Sequence, residues 1–368
     1  MTVKNQKTVV VGMSGGVDSS VAAYLLKKQG YNVIGVTMKI WQGGGEGNNE
    51  LKKSGCYGPG EAGDIETAQK VAKELGIPHH ILDLHDEYEQ AVLKYFRDEY
   101  LAGKTPNPCV VCNQKIKFGF LLDKARQSGI AFDLFATGHY SRVELNPQSQ
   151  KFFLKKSTDP KKDQTYFLYR LTQEQLAKVI FPLGGLLKDE VKKIASQAGL
   201  KGLADKPESQ DFYEGEGFGD FFDTADSQPG DIVDTSGRIV GRHHGVIHYT
   251  IGQRKGLNIG GLKDPLYVVE IDIRKNQIIV GPREKLLAKS LMAEDLNWVS
   301  IPVPRGPVIA TAKIRSTQPE KSCSVTSIDA NRARVDFDEP QMAVTPGQSI
   351  VFYDGDLVLG GGVILKHL

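Results

Sequence analysis

The sequence predicts an α/β protein: a doubly wound parallel sheet, then a small central domain, then a C-terminal β-barrel. Three observations carry this. Short β-branched segments alternate with amphipathic helical spacing through the first 140 residues, the pattern of βαβ units that pair into a parallel sheet. A Gly-rich turn joins the first strand to the first helix. From residue 290 onward nearly every segment reads as strand and turn. A chain of 368 residues has room for two or three domains of roughly 150 residues. Boundaries are expected near 205 and 285, giving domains 1–205, 206–285 and 286–368.

In chain order, residues 7–13 are apolar and β-branched, a short buried strand. Residues 21–28 have helical spacing with Gly30 as the stop, and 33–39 read as the next strand. Residues 41–60 are rich in Gly, Asn and Lys and predict a mobile surface loop. A helix over 65–75 ending at Gly76, a strand at 79–84 and a helix at 87–101 follow. Pro106 and Pro108 break the chain before Cys109, helical spacing resumes over 113–126, and a strand at 133–136 runs into Thr137, Gly138, His139 and Tyr140. Beyond Leu200, residues 207–230 are rich in Gly, Asp and Glu, and short strands are expected at Ile232, at Val246 and over 266–271. The last third predicts strands at 308–314, 323–328, 334–337, 350–353 and 358–364, a barrel or sandwich.

Composition narrows the class. With 40% hydrophobic and 24% charged residues the chain builds an ordinary core, and a net charge of +2 is too small to argue for nucleic acid by itself, so RNA contact has to come from local basic patches. The N-terminus runs into a strand without an apolar leader and no apolar run reaches membrane-spanning length, which predicts a cytoplasmic chain with no membrane partner. Cys56, Cys109, Cys112 and Cys323 are too few for a disulfide scaffold and read as metal ligands, reactive thiols or buried small residues. Cys323, in a strand-like run, is expected to be simply buried.

The segment Gly12, Met13, Ser14, Gly15, Gly16, Val17, Asp18 and Ser19 lies between strand and helix. Two glycines let successive N–H groups curl inward, the helix adds its positive end, Ser14 and Ser19 add hydroxyls, and Asp18 is placed to hold Mg²⁺. An ordinary P-loop has a Lys-Ser or Lys-Thr pair where this chain has Asp18 and Ser19. The string resembles the SGGxDS loop of the N-type ATP pyrophosphatases, which implies that fold for the parallel sheet, and a loop that binds the pyrophosphate of ATP while AMP passes to a substrate oxygen.

Further stretches resemble the tRNA 2-thiouridylases, and together they cover nearly the whole chain: 105–113 with Ile116, Lys117 and Phe118, then 136–140, 162–168, 250–257 and 345–349. The resemblance implies that Gly12 to Ser19, Met38 and Gly138 hold ATP. Asn107 and Pro108, with Cys109, approach the target base. His139, Lys162, Asp163, Gln164, Arg315, Ser316 and Gln348 contact tRNA, the anticodon stem-loop in particular. Taken singly, His139 also reads as a hydrogen-bonded core histidine, Lys162 as a solvated charge and Gln348 as a turn residue. Arg254 and Lys255, in a Gly-bounded loop, suit phosphates, and Tyr249 and Tyr267 are candidates for base stacking. The implied reaction adenylates the 2-oxygen of the wobble uridine, in tRNAs of the Lys, Glu and Gln type, and replaces it with sulfur; the base has to be extruded to react.

The chain departs from the family pattern at its thiols. Best-known members have an Asp after the Asn-Pro pair, a nucleophilic Cys before the next Asn, and a second, persulfide-bearing Cys downstream. Here Cys109 takes the Asp position, Cys112 the nucleophile position, and Tyr213 stands where the second Cys belongs. Catalysis is therefore assigned to Cys112, Cys109 and Asp18. Three readings of the thiols compete: redox chemistry of the C-x-x-C pair, Zn²⁺ held by Cys56, Cys109 and Cys112 with His79, His80 or His139, and a 4Fe–4S cluster on the three cysteines with one iron open. The cluster is the favoured expectation, beside ATP and Mg²⁺, with thiol or persulfide chemistry on Cys112 as the alternative. The sulfur donor is open between sulfide and a relay protein. The rivals are a ligase of the same fold and a non-catalytic tRNA-binding module.

Overall fold

Val9, Val10 and Val11 are fully buried because their strand is the middle one of a parallel sheet. The computed structural model describes residues 6–43, 55–204, 211–215, 218–260 and 264–368. They fall into two compact units, the first comprising Met1–Val92, Cys109–Glu216 and Asp356–Val358, the second Leu93–Pro108, Gly217–Gly355 and Leu359–Leu368.

The strands of the first unit are β1 (Thr8–Gly12), β2 (Asn32–Lys39), β3 (Gly55–Tyr57), β4 (His79–Asp83), β5 (Leu134–Ala136), β6 (Arg142–Asn146), β7 (Lys151–Lys155), β8 (Val179–Ile180) and β9 (Asp211–Tyr213). Five of them form the sheet β4-β2-β1-β5-β8, parallel throughout. Strand order reverses at β1 and β5, so the loops leaving their C-terminal ends flank the crevice where such sheets bind ligands. One face is covered by α1 (Val17–Lys28) and α2 (Glu61–Leu75). Val9, Val11 and Met13 pack there against Val21, Leu26, Val71 and Leu75. Each such buried side chain contributes about 1.5–3 kcal/mol, which gives the crevice a rigid floor. As the sequence implies, α2 stops at Gly76, left-handed at φ +59.

Several elements differ from expectation. Within 41–60, read as a loop, β3 forms and pairs in parallel with β9, Gly55 opposite Asp211 and Tyr57 opposite Tyr213; residues 44–54 lie outside the described residues. The helical stretch after Cys109 opens as a π-helix, Cys112–Phe120, and another π segment, Glu89–Leu93, interrupts the preceding one. Apolar periodicity cannot distinguish an i→i+5 turn from an α-turn over so few residues.

In the second unit, β10 (Gly230–Asp234), β11 (Ile239–His243), β12 (Tyr267–Asp272) and β13 (Gln277–Gly281) make a sheet in the order β11-β10-β13-β12 over a core of Ile232, Val268, Ile278 and Val280. Val246–His248, expected as strand, is a single 3₁₀ turn. β14 (Leu287–Asn297), β15 (Val308–Lys313), β16 (Lys321–Ser327), β17 (Ala333–Met342), β18 (Ser349–Asp354) and β19 (Leu357–His367) follow in the order β14-β17-β16-β15-β18-β19, and a β14–β19 pairing closes the ring into a barrel. Closure removes the exposed edges that an open sheet would carry. Cys323 is buried in β16. Among the described residues no helix is long and apolar enough to cross a membrane.

Candidate nucleotide and thiol site

The turn from β1 into α1 is braced by its own serines. Ser14 N–H donates to Ser19 Oγ at 3.1 Å, and the hydroxyls of Ser19 and Ser20 donate to the Gly16 carbonyl at 3.2 and 2.8 Å. Gly15 has φ +69, and a Cβ there would lie 2.4 Å from the Asp64 carbonyl oxygen. Gly138, after β5, is packed against the start of α1; a Cβ on it would lie 2.6 Å from the Ser19 nitrogen. Both glycines are required by close approach, which leaves N–H groups and a helix N-terminus facing the crevice, a ready anion site.

That crevice is a cavity of about 290 Å³. Of the ten residues expected to hold ATP, Gly12, Met13, Ser14, Gly16, Val17, Asp18, Ser19, Met38 and Gly138 line it, and Gly15 shapes the turn behind them. His139 and Gln164, expected at tRNA, line it as well. The Gln164 side chain accepts from Tyr140 N–H at 2.9 Å, and Asp163 accepts from Ser157 N–H and Thr165 Oγ1, which shapes the 157–165 turn; Lys162 is half-buried in that turn. His139 pairs through Nδ1 with Thr137 Oγ1 at 2.7 Å and packs near the rings of Phe118 and Phe181. Burial first, and the Lys117 charge second, push it down to about 3, so it is neutral at physiological pH.

Asp18 is less free than its sequence context implies. Its two oxygens accept 2.8 Å bonds from Lys188 Nζ, and one accepts a further 2.8 Å bond from the Tyr140 hydroxyl. Lys188 is itself held, its N–H donating to Asp159 at 2.9 Å. Nothing in the local pattern around Lys188 or Asp159 signals this, because the pair spans 170 residues of chain. Mg²⁺ usually takes one or two carboxylates together with substrate phosphates. Asp18, still 27% exposed, and Asp64 meet that requirement on the cavity wall.

The expected thiols do not assemble as a metal centre. Cys56 is exposed on the cavity wall, Cys109 is half-buried, and Cys112 is buried at the start of the π-helix. Among the described residues no three His, Cys, Asp or Glu side chains are grouped to hold a metal ion, so neither the cluster set Cys56, Cys109 and Cys112 nor its zinc variant fits this arrangement. His79 instead pairs with Thr37 Oγ1 at 2.8 Å. Burial pushes the Cys112 thiol up to about 11; the Lys117 charge pulls the other way. Tyr88, which is buried and stacks on Tyr57 at 5.2 Å, is held well above its usual range by burial and then by the charges of Cys112, Cys56 and Cys109. Tyr213 is buried beside Tyr57, ring centroids 6.4 Å apart.

In the second unit, Gln348 Nε2 donates to the carbonyls of Thr105 and Pro106 at 2.9 and 3.2 Å and so fixes the segment leading to Asn107. Pro108 is buried at the start of a short helix, Pro108–Val111, and Asn107 is half-buried. Arg315 donates to the Ala343 carbonyl and to Thr345 Oγ1, both at 3.0 Å, and Ser316 beside it is half-buried. Tyr249 is buried in the small-sheet core and is not available to stack on a base, whereas Tyr267 is half-buried. Arg254 and Lys255 are exposed on a turn braced by Gln253, which accepts from Thr250 N–H and donates to the Lys255 carbonyl. If they meet phosphates, Arg254→Ala and Lys255→Ala each lower the slope of log affinity against log salt for tRNA by about 1. Titrating tRNA across a salt series is the check, and unchanged slopes for both assign the loop to packing.

Three family models match the chain in succession: "tRNA methyl transferase HUP domain" over residues 7–213, "tRNA methyl transferase PRC-barrel domain" over 222–282, and "Aminomethyltransferase beta-barrel domain" over 288–364. The chain is 48% identical over 366 residues to the tRNA-specific 2-thiouridylase MnmA of Endomicrobium trichonymphae, covering 98% of this chain and 100% of that one. It is 46% identical to the protein of the same name from Acetivibrio thermocellus, covering 98% and 99%, and 47% identical to that from Geobacter metallireducens, covering 99% and 98%.

Proposed function

The chain belongs to the tRNA-specific 2-thiouridylase family, and we propose that it runs the family reaction with ATP at the β1–α1 loop and a thiol on Cys112. It is an enzyme, a tRNA sulfurtransferase that uses ATP and acts on a tRNA uridine. The observation that carries the nucleotide assignment is the cavity walled by the Gly12–Ser19 turn, Met38 and Gly138. An amide-like carbonyl oxygen is a poor leaving group, so the uridine 2-oxygen first takes AMP from ATP and pyrophosphate departs; Asp18 or Asp64 would hold Mg²⁺, which would offset the phosphate charge. The wobble uridine is the target, extruded from the anticodon loop.

Cys112 is the sulfur carrier in this reading. Its thiol is buried beside the cavity's Lys117, whose charge acts on it. Tyr213 leaves β9 without a thiol, but β9 pairs with β3, and Cys56 of β3 lines the cavity. Cys56 is thus the second thiol available to a relay. A 4Fe–4S cluster asks Cys56, Cys109 and Cys112 to converge, and they are not grouped that way; no step is assigned to it.

The test combines ATP, Mg²⁺, tRNA and a persulfide as sulfur donor, whose outer sulfur passes to Cys112 while the donor thiol leaves; sulfide alone cannot load a thiol without an oxidant. Pyrophosphate release is expected to require tRNA, and 2-thiouridine to accumulate. Release driven by a carboxylic acid in place of tRNA indicates a ligase of the same fold. Iron and labile sulfide, measured on anaerobically purified protein, are expected far below one cluster per chain; a stoichiometric cluster overturns the thiol reading.

A further inference from the structure

The cavity wall carries three carboxylates, Asp18, Glu61 and Asp64, and among the described lining residues one ammonium, Lys117. Asp18 is paired with Lys188, and Glu61 accepts the backbone N–H groups of Ile40 and Trp41 at 2.7 and 3.1 Å. Lys117 has no carboxylate or hydrogen-bond partner among the described residues. A half-buried ammonium left unpartnered is costly. It is tolerated where a substrate anion completes it.

The π-helix explains how Lys117 reaches this place. It starts at Cys112, and Lys117 lies five residues on. In an α-helix a residue five along points about 140° away from the first. The wider i→i+5 turn swings it back toward the same face, and the Lys117 and Cys112 side chains act on each other electrostatically. Cys112, Cys56 and Cys109 all act on it electrostatically.

The loop segment 12–19 contains no Lys or Arg, and the Lys188 ammonium at the loop is taken up by Asp18. Phosphoryl centres are served by Lys or Arg as well as Mg²⁺, and the usual P-loop Lys is replaced here by Asp18. We propose that Lys117 is the catalytic cation of the adenylation step, its ammonium contacting the α-phosphate of ATP as the uridine 2-oxygen attacks. A lone pair of that oxygen forms the new O–P bond. The bond from the α-phosphorus to its bridging oxygen breaks, and pyrophosphate leaves with the electron pair. The N3 proton of the uridine passes to water. Lys117 neutralises the non-bridging oxygens through this exchange and, acting electrostatically on Cys112 as well, leaves the adenylate beside the sulfur carrier.

This rests on the thiolation reading, and the experiment separates the two. Lys117→Met and Lys117→Arg are compared with the unmodified enzyme for tRNA-dependent pyrophosphate release, KM for ATP, 2-thiouridine formation and melting temperature. Lys117→Met is expected to lower kcat for pyrophosphate release by about 10²–10³-fold with a much smaller change in KM, as when one donor to a developing charge is removed. Lys117→Arg, which keeps the charge, is expected to retain at least about a tenth of the rate. Should Lys117→Met fail to fold, Lys117→Gln replaces it. Normal pyrophosphate release with lost thiolation in the uncharged variant overturns the proposal and assigns Lys117 to the thiols alone. If the unmodified enzyme makes no 2-thiouridine with any donor, the thiolation reading fails first.

Discussion

Cys112→Ser is expected to abolish 2-thiouridine formation, by at least about 10³-fold, while tRNA-dependent pyrophosphate release continues. A serine hydroxyl matches the thiol in shape and cannot carry sulfur. The residue is 7% exposed, so the substitution changes chemistry more than packing. Its pH dependence differs from that of a surface thiol activated below neutrality, whose thiolate fraction is already saturated above pH 7. Burial raises Cys112 to about 11, so at pH 7 the thiolate fraction is on the order of 10⁻⁴. That fraction grows about tenfold per pH unit up to the raised value. Loading of Cys112, in which its thiolate takes the outer sulfur of a persulfide donor and the donor thiol leaves, is therefore expected to accelerate as pH rises from 7 to 9, until adenylation or tRNA binding becomes limiting. Single-turnover thiolation against pH, run beside pyrophosphate release, separates the two steps. A flat thiolation profile, or full activity of Cys112→Ser, removes Cys112 from the chemistry.

Asp18→Ala is expected to cost both activity and stability. Removing the carboxylate takes the ion pair with Asp18 away from the Lys188 ammonium, whose side chain is 9% exposed. Breaking a buried ion pair costs about 3–5 kcal/mol, and the lower end applies because Asp18 keeps part of its surface in water. The double variant Asp18→Ala with Lys188→Met is expected to recover most of the melting temperature, since no buried charge is left unpaired. It is not expected to recover adenylation, because the carboxylate at the phosphate loop is still missing. Thermal melts of the single and double variants, with pyrophosphate release on each, are the measurement. A double variant that regains activity assigns Asp18 a purely structural task.

Much of the nucleotide site is legible in the amino-acid string because it is contiguous. Gly12 to Ser19 act through backbone N–H groups and a helix end, which depend on local sequence alone, and all eight form the turn or its cavity wall. The alternation of strands and helices likewise dictates the parallel sheet, and the run of short strands a β-rich last third, while its closure into a barrel is set by the β14–β19 pairing. Tertiary structure decides the charges. The Asp18–Lys188 pair joins groups 170 residues apart, and the β3–β9 pairing brings Cys56 beside the Tyr213 strand across a similar separation. Lys117 lies in a motif segment that gives it no task, because only the π-turn brings residue 117 round to Cys112 and the cavity. The three cysteines suggest a metal by count and spacing, yet ligation depends on where the side chains converge, and one is exposed while another is buried. Backbone motifs are short-range and can be read from a string. Ion pairs, desolvated thiols and metal sites depend on distances that the folded chain sets.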